Sequence, residues 1–235
     1  MRVLVGTSGY SYKQWKGSFY PEDLPDGEML RFYAGRFPTV EINNTFYRMP
    51  TRGLVERWAQ DVPAGFRFVL KASRRITHEK RLNNAAEDVA YLFKTAAALG
   101  DKLGPVLFQL PPFSKKDAGR LRSFLATLPE GRPAAFEFRN ESWFDDEVYE
   151  ALRSPGAALC LADTDEADGK AAPLVATAGW GYLRLRRADY SDDDLAAWAD
   201  RIRAQPWETA YVFFKHEDEG RGPALAARLM EKLGG

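Results

Sequence analysis

The feature that most constrains this chain is an alternation. Eight short apolar runs, at residues 3–6, 39–43, 66–71, 105–110, 134–139, 157–162, 180–186 and 210–215, are separated by stretches with helical spacing. The runs are nearly continuous in β-branched, aromatic and other apolar residues, as expected of parallel strands covered on both faces. Parallel neighbours cannot be joined by a tight hairpin, so each needs a crossover, and the intervening segments supply it. Residues 27–37, 51–60, 85–99, 115–128, 145–153 and 223–233 have helical spacing, and Ser191 caps a further helix whose first turn holds Asp192, Asp193 and Asp194. Eight such units in 235 residues predict an α/β fold, a (β/α)8 TIM barrel of near-minimal size, with residues 1–235 as a single domain. A doubly wound open sheet is the alternative. It would carry a phosphate loop after the first strand, and Gly6-Thr7-Ser8-Gly9 has neither the glycine spacing nor the lysine of one.

Charge and cysteine content narrow the partners. Lys+Arg and Asp+Glu are equal at 33 each, which removes any global attraction to nucleic acid or an anionic membrane. No apolar run approaches the ~20 residues of a membrane span, and the first run is too short for a signal-peptide core. Cys160 is the one cysteine and sits in the apolar run Ala157-Ala158-Leu159-Cys160-Leu161, where it reads as a small buried hydrophobe. No intrachain disulfide can form, and a cytoplasmic location is expected.

Strand parity locates a site. Residues two apart share a face, and the face turned to the helices must be apolar. The polar set therefore turns inward: Glu41 and Asn43 on the second strand, Arg67 and Lys71 on the third, Gln109 on the fourth, Glu137 and Arg139 on the fifth. The sixth contributes Asp163 at its end, the seventh Tyr182, Arg184 and Arg186, the eighth Tyr211 and Lys215. Three acids (Glu41, Glu137, Asp163) face six bases (Arg67, Lys71, Arg139, Arg184, Arg186, Lys215), a surplus of three positive charges in an otherwise neutral protein. Unpaired buried cations cost several kcal/mol each, roughly, so a small anionic partner is expected at the C-terminal strand ends, where barrel sites lie.

Two chemistries follow from these residue types. Glu41 and Glu137, from strands nearly opposite one another, are a candidate acid/base pair acting on a sugar-like ligand. Glycosidases hold such carboxylates ~5–5.5 Å apart when retaining and ~6.5–9.5 Å apart when inverting. The bland alternative is that each glutamate is clamped by an arginine such as Arg67 or Arg184, which would keep its pKa low. Lys71, Arg139, Arg186 and Lys215 are the expected anion clamp, with His216 as a further base or phosphate donor. Tyr10, Trp15, Tyr47 and Trp143 are the expected aromatic walls, and Asn43, Gln109 and Asp163 the remaining polar contacts. No metal and no other cofactor is expected, because His78 and His216 are the only histidines and the basic surplus repels cations. A weaker reading takes the basic run 74–81 with the mouth aromatics as a single-stranded nucleic-acid or nucleotide site. Nothing in the sequence assigns an oligomeric state.

Several phrases also resemble a known family. Gly6-Thr7-Ser8-Gly9-Tyr10, Val40-Glu41-Ile42-Asn43-Asn44-Thr45-Phe46-Tyr47, Phe66-Arg67-Phe68-Val69-Leu70-Lys71 with Ile76-Thr77-His78, Gly104-Pro105-Val106-Leu107-Phe108-Gln109-Leu110-Pro111-Pro112, Glu137-Phe138-Arg139 with Ser142-Trp143, and Ala162-Asp163 are similar, in order, to the YecE-like family of unassigned function. The resemblance implies a TIM barrel of the xylose-isomerase-like and endonuclease-IV-like kind, without implying a reaction. Many relatives have Arg-Leu-His-Gly where this chain has Arg184-Leu185-Arg186-Arg187, and paired asparagines where it has Lys215-His216. Both departures add positive charge. The histidines needed for the multi-zinc centres of that fold group are missing.

Overall fold

The computed structural model describes residues 1–165, 172–216 and 218–234. Eight parallel strands close into a barrel in chain order: β1 (Arg2–Ser8), β2 (Thr39–Ile42), β3 (Arg67–Lys71), β4 (Leu103–Gln109), β5 (Ala134–Glu137), β6 (Ala158–Asp163), β7 (Trp180–Leu185) and β8 (Thr209–Phe214). The barrel is completed by β8 pairing with β1, from Arg2 against Thr209 to Thr7 against Phe214. The (β/α)8 barrel predicted from the alternation is the fold, and the open sheet is excluded by that closure.

Helices α1 (Met29–Ala34), α2 (Arg52–Gln60), α3 (Ala86–Ala96), α4 (Ala118–Leu125), α5 (Asp146–Arg153), α6 (Asp192–Arg203) and α7 (Arg221–Leu233) form the outer layer. Their starts are set by local chemistry. Thr51, Asp117 and Asp145 each accept a hydrogen bond from a first-turn N–H of α2, α4 and α5, and Ser191 forms a reciprocal capping box with Asp194 at α6. Several helices are shorter than their apolar spacing suggests: α3 passes into a 3-10 segment (Ala97–Lys102), and α4 occupies only the middle of 115–128. Among the described residues no helix or strand joins β6 to β7, and the apolar residues Leu174, Val175 and Ala176 lie in irregular chain. Residues 166–169 of the polar loop after β6 lie outside the described residues.

The apolar surface is buried in two shells. The outer one lies between strands and helices and includes Val40, Phe68 and Val212 in one cluster and Phe108, Phe124 and Phe136 in another. The inner one fills the barrel with Val69, Leu107, Ala135, Ala158, Cys160, Tyr182 and Phe213. This inner plug fills the barrel below the C-terminal strand ends, and the buried polar residues Glu41, Glu137 and Arg184 collect above it. Gly6 permits one close approach in the wall: a Cβ there would stand 2.1 Å from the Thr39 carbonyl oxygen and 3.0 Å from the Tyr33 hydroxyl. That hydroxyl accepts from the Thr7 N–H at 2.8 Å and donates to the Thr39 carbonyl at 3.0 Å, pinning α1 to β1 and β2.

Candidate functional site: a guanidinium bridge beneath a cationic mouth

Strand register places the polar inward residues side by side. Ser8 pairs with Glu41 across β1 and β2, and Gln109 with Glu137 across β4 and β5. Arg184 comes from β7, one inward step above Tyr182, and reaches both glutamates. Its Nη1 donates to Glu137 Oε2 at 2.6 Å and its Nη2 to Glu41 Oε1 at 2.9 Å. All three side chains are buried.

Each carboxylate is further committed. Glu41 accepts from Ser8 Oγ at 2.7 Å, Asn43 Nδ2 at 3.2 Å and the Tyr182 hydroxyl at 2.5 Å. Glu137 accepts from Gln109 Nε2 at 2.7 Å and Arg139 Nε at 3.3 Å, with Arg186 Nη1 at 3.9 Å. Burial alone would raise both pKa values. For Glu137 the guanidiniums of Arg184, Arg139 and Arg186 and the Gln109 amide overcome it and bring the pKa to about 2. For Glu41, Arg184 with the Tyr182 and Ser8 hydroxyls likewise leaves the carboxyl below its usual range. Both members of the expected acid/base pair are thus held toward the ionised form by neighbouring cations and donors, which favours the carboxylate over the acid. The clamped alternative is the arrangement found, with Arg184 as the clamp. Arg67 takes no part, because its guanidinium bonds the Ala64 and Phe66 carbonyls at the opposite end of β3.

Above this bridge lies the mouth. Lys71, the last residue of β3, sets its Nζ 4.3 Å over the Phe46 ring. Among the described residues its Nζ makes no hydrogen bond and no ion pair, while its backbone carbonyl accepts from Thr45 Oγ1 at 2.7 Å. Burial lowers its pKa from 10.5 to about 8, and the Arg184 and Arg139 charges add to this against the pull of Glu137 and Glu41. His78 meets the same Phe46 ring edge-on at 4.9 Å, and burial with the charges of Lys71, Arg139 and Arg74 lowers its pKa. Tyr47 stands exposed at the rim against Phe46. Arg139 and Arg186 are partly exposed, at 30% and 12% of their side chains. Four bases, Lys71, Arg139, Arg184 and Arg186, thus share two carboxylates.

Other expected site residues lie elsewhere, for identifiable reasons. Asp163 has the parity of Leu159 and Leu161, not of Cys160, and turns outward. There it accepts from the Tyr190 hydroxyl at 2.9 Å and Trp198 Nε1 at 3.2 Å and pairs with Arg187 at 3.1 Å. His216 shares the outward parity of Phe214, and its Nε2 bonds the Arg187 carbonyl at 2.5 Å beside Tyr190. Trp15 is wholly buried among Tyr12, Phe19 and Tyr20. Trp143 stacks flat on Phe138 at 4.5 Å and donates to the Ser114 carbonyl at 2.6 Å. Tyr10 packs toward Tyr33 in the helix layer. Lys215 is exposed at the end of β8. The basic run after β3 is wound into a π-helical turn (Arg75–Glu79), and its charges are paired locally: Arg74 with Glu79, Arg75 and Lys80 with Asp88. Phe46 and His78 also line the mouth, and both follow strands whose ends face the site.

A closed parallel barrel with a buried guanidinium bridge under a cation-rich C-terminal mouth defines a (β/α)8-barrel protein with its polar centre at the usual face. The chain belongs to the family described as "Protein of unknown function DUF72", which matches residues 4–235. It is 31% identical to the UPF0759 protein YunF of Bacillus subtilis over 161 residues, 65% of this chain and 56% of that protein. It is 30% identical to the UPF0759 protein YecE of Escherichia coli over 116 residues, 49% of this chain and 43% of that one. The matched stretches thus span about half the length of these relatives. A crystal structure of a DUF72 family protein (TM1631) from Thermotoga maritima superposes with a TM-score of 0.88 at 25% identity, covering 100% of both chains. One from Enterococcus faecalis gives 0.81 at 19% identity, covering 99% and 95%, and repeats the fold.

Proposed function

We propose that this protein is an enzyme that binds a small phosphorylated or carboxylated, sugar-like molecule at the C-terminal mouth of the barrel. The observation that carries the reading is that Arg139 reaches Glu137 through Nε alone, on a carboxylate that also accepts from Arg184 and Gln109, and that the terminal nitrogens of Arg139 and the Nζ of Lys71 have no acceptor among the described residues. Cationic donors gathered at partly buried strand ends are suited to an oxyanion, and a guanidinium offers two parallel N–H groups to a phosphate or carboxylate edge. The exposed Tyr47 ring and the Phe46 ring provide an apolar wall for a sugar face. In this reading Glu41 and Glu137 position Arg184 and hold the field of the mouth near balance; proton transfer falls to other groups.

A thermal-shift and turnover screen of sugar phosphates and sugar acids tests the proposal, run on the wild type beside Arg139→Ala. At least one compound should stabilise the wild type, with affinity about tenfold or more weaker in the variant. A wild type that responds to no anionic sugar would remove the reading. Local pairing of Arg74, Arg75 and Lys80 argues against the nucleic-acid alternative, whose affinity would have to fall steeply with salt.

A further inference from the structure

Lys71 differs from every other cation of the mouth. The arginines are held by carboxylates, whereas the Lys71 amine rests on the face of Phe46 with no oxygen partner among the described residues. A lysine that served only as a charge would be expected to sit against one of the two glutamates nearby. We propose that Lys71 is a nucleophile that forms an imine with the aldehyde or ketone carbon of a small anionic substrate, whose phosphate or carboxylate is held by Arg139. The proposal rests on the anion-site reading above and assigns its substrate class.

The step is balanced without any outside reagent. The neutral Nζ donates its lone pair to the carbonyl carbon, a C–N bond forms, and the carbonyl π pair moves to oxygen, which takes a proton to give a carbinolamine. Loss of the hydroxyl with a proton as water leaves the C=N bond. The movement of these protons is assigned to His78, which meets the same Phe46 ring edge-on. Its Nδ1 is 2.9 Å from Thr77 Oγ1, and that hydroxyl donates to the Ser73 carbonyl at 3.3 Å. With the hydroxyl's one hydrogen on the Ser73 carbonyl, its lone pair accepts from Nδ1–H and the basic lone pair of the imidazole lies on Nε2, the tautomer this step uses. The groups that face the amine are Glu41 from β2, His78 from the turn after β3, Glu137 from the end of β5, Arg139 just beyond it, and Arg184 from β7. Burial and these cations keep a fraction of the amine neutral near pH 8, where an ordinary surface lysine is almost wholly charged.

Borohydride trapping with glyceraldehyde 3-phosphate at pH 8, read by peptide mass spectrometry, tests the assignment, with uncharged glyceraldehyde as the comparison. The expected result is a reduced adduct on Lys71 at least about tenfold ahead of any surface lysine, following the larger neutral fraction of its amine. It should be suppressed by inorganic phosphate, weakened in Arg139→Ala, and absent in Lys71→Arg, which keeps the charge. Its rate should rise through about pH 8 and then level off. Phosphate binding measured on the same preparation separates the two claims. Binding with labelling spread evenly over surface lysines overturns the imine while leaving the anion site standing, and loss of phosphate binding overturns both.

Discussion

Glu41 and Glu137, on strands set apart around the barrel, are bound to one another through a single buried guanidinium: Arg184 gives one nitrogen to each, at 2.9 and 2.6 Å. With all three side chains out of water, Arg184 is the cation paired with Glu41, whereas Glu137 also has Arg139 at 3.3 Å. Removing the guanidinium therefore strands the buried Glu41 anion and leaves Glu137 to the partly exposed Arg139. Arg184→Ala should destabilise the protein by roughly 3–5 kcal/mol in urea unfolding. Glu41→Gln with Glu137→Gln and Arg184→Met, which removes the charges together, should cost less than the single change. Equal losses would mean that the bridge contributes no coupling.

The same bridge gives the fold an acid limit. Glu137 ionises at about 2 in the folded protein against 4.5 ordinarily, so its contribution is complete above about 4.5. As the pH falls from there toward 2, the unfolded chain takes up the proton first and unfolding gains. Melting temperature should drop across this window in the wild type, and less in Glu137→Gln.

Lys71 works in the other direction. Its pKa is lowered from 10.5 to about 8, so the fold carries a charge it disfavours at every pH below 8. Between 8 and 10.5 the unfolded chain holds the extra proton, and wild-type stability should rise with pH. Lys71→Met should be more stable than the wild type at neutral pH by roughly 1 kcal/mol, about 2–4 °C for a chain of this size. The advantage should shrink through pH 8 to 10.5. A destabilised variant at neutral pH would show that the amine is held by contacts not accounted for by its place on Phe46.

Asp163 offers a control on the outward side. It gathers Tyr190, Trp198 and Arg187 beneath α6. Asp163→Ala should lose about 1–3 kcal/mol, the cost of hydrogen-bond donors left unsatisfied, while phosphate affinity stays unchanged. A large fall in affinity with intact folding would bring Asp163 back to the site.

Much of this was legible in the residues. Eight apolar runs with crossovers leave few folds, and parity alone turned Glu41, Lys71, Gln109, Glu137, Arg139, Arg184 and Arg186 to one side of the sheet. Parity also contained the answer for Asp163 and His216: each is one residue past an inward neighbour, at Ala162 and Lys215, and chemical appeal outweighed the count. The aromatic walls were harder. Trp15, Trp143 and Tyr10 follow strand ends as a site ring would, yet large rings in βα loops are also what seals the top of the outer core, and only packing separates the two uses. The reach of Arg184 across the barrel depends on the inner plug ending at Tyr182, a feature of volume that no periodicity carries. His78 was hidden because a basic run looks solvated until its π turn and its Glu79 and Asp88 partners are seen.

The central claim is that the mouth holds an anion between Arg139 and Lys71. A crystal structure of the protein grown with inorganic phosphate tests it most directly. The account predicts a tetrahedral ion above the β3 and β5 ends, within hydrogen-bonding distance of the Arg139 guanidinium and Lys71 Nζ. A mouth holding only water, with phosphate bound along the basic turn at Arg74 and Arg75 or nowhere, would contradict it.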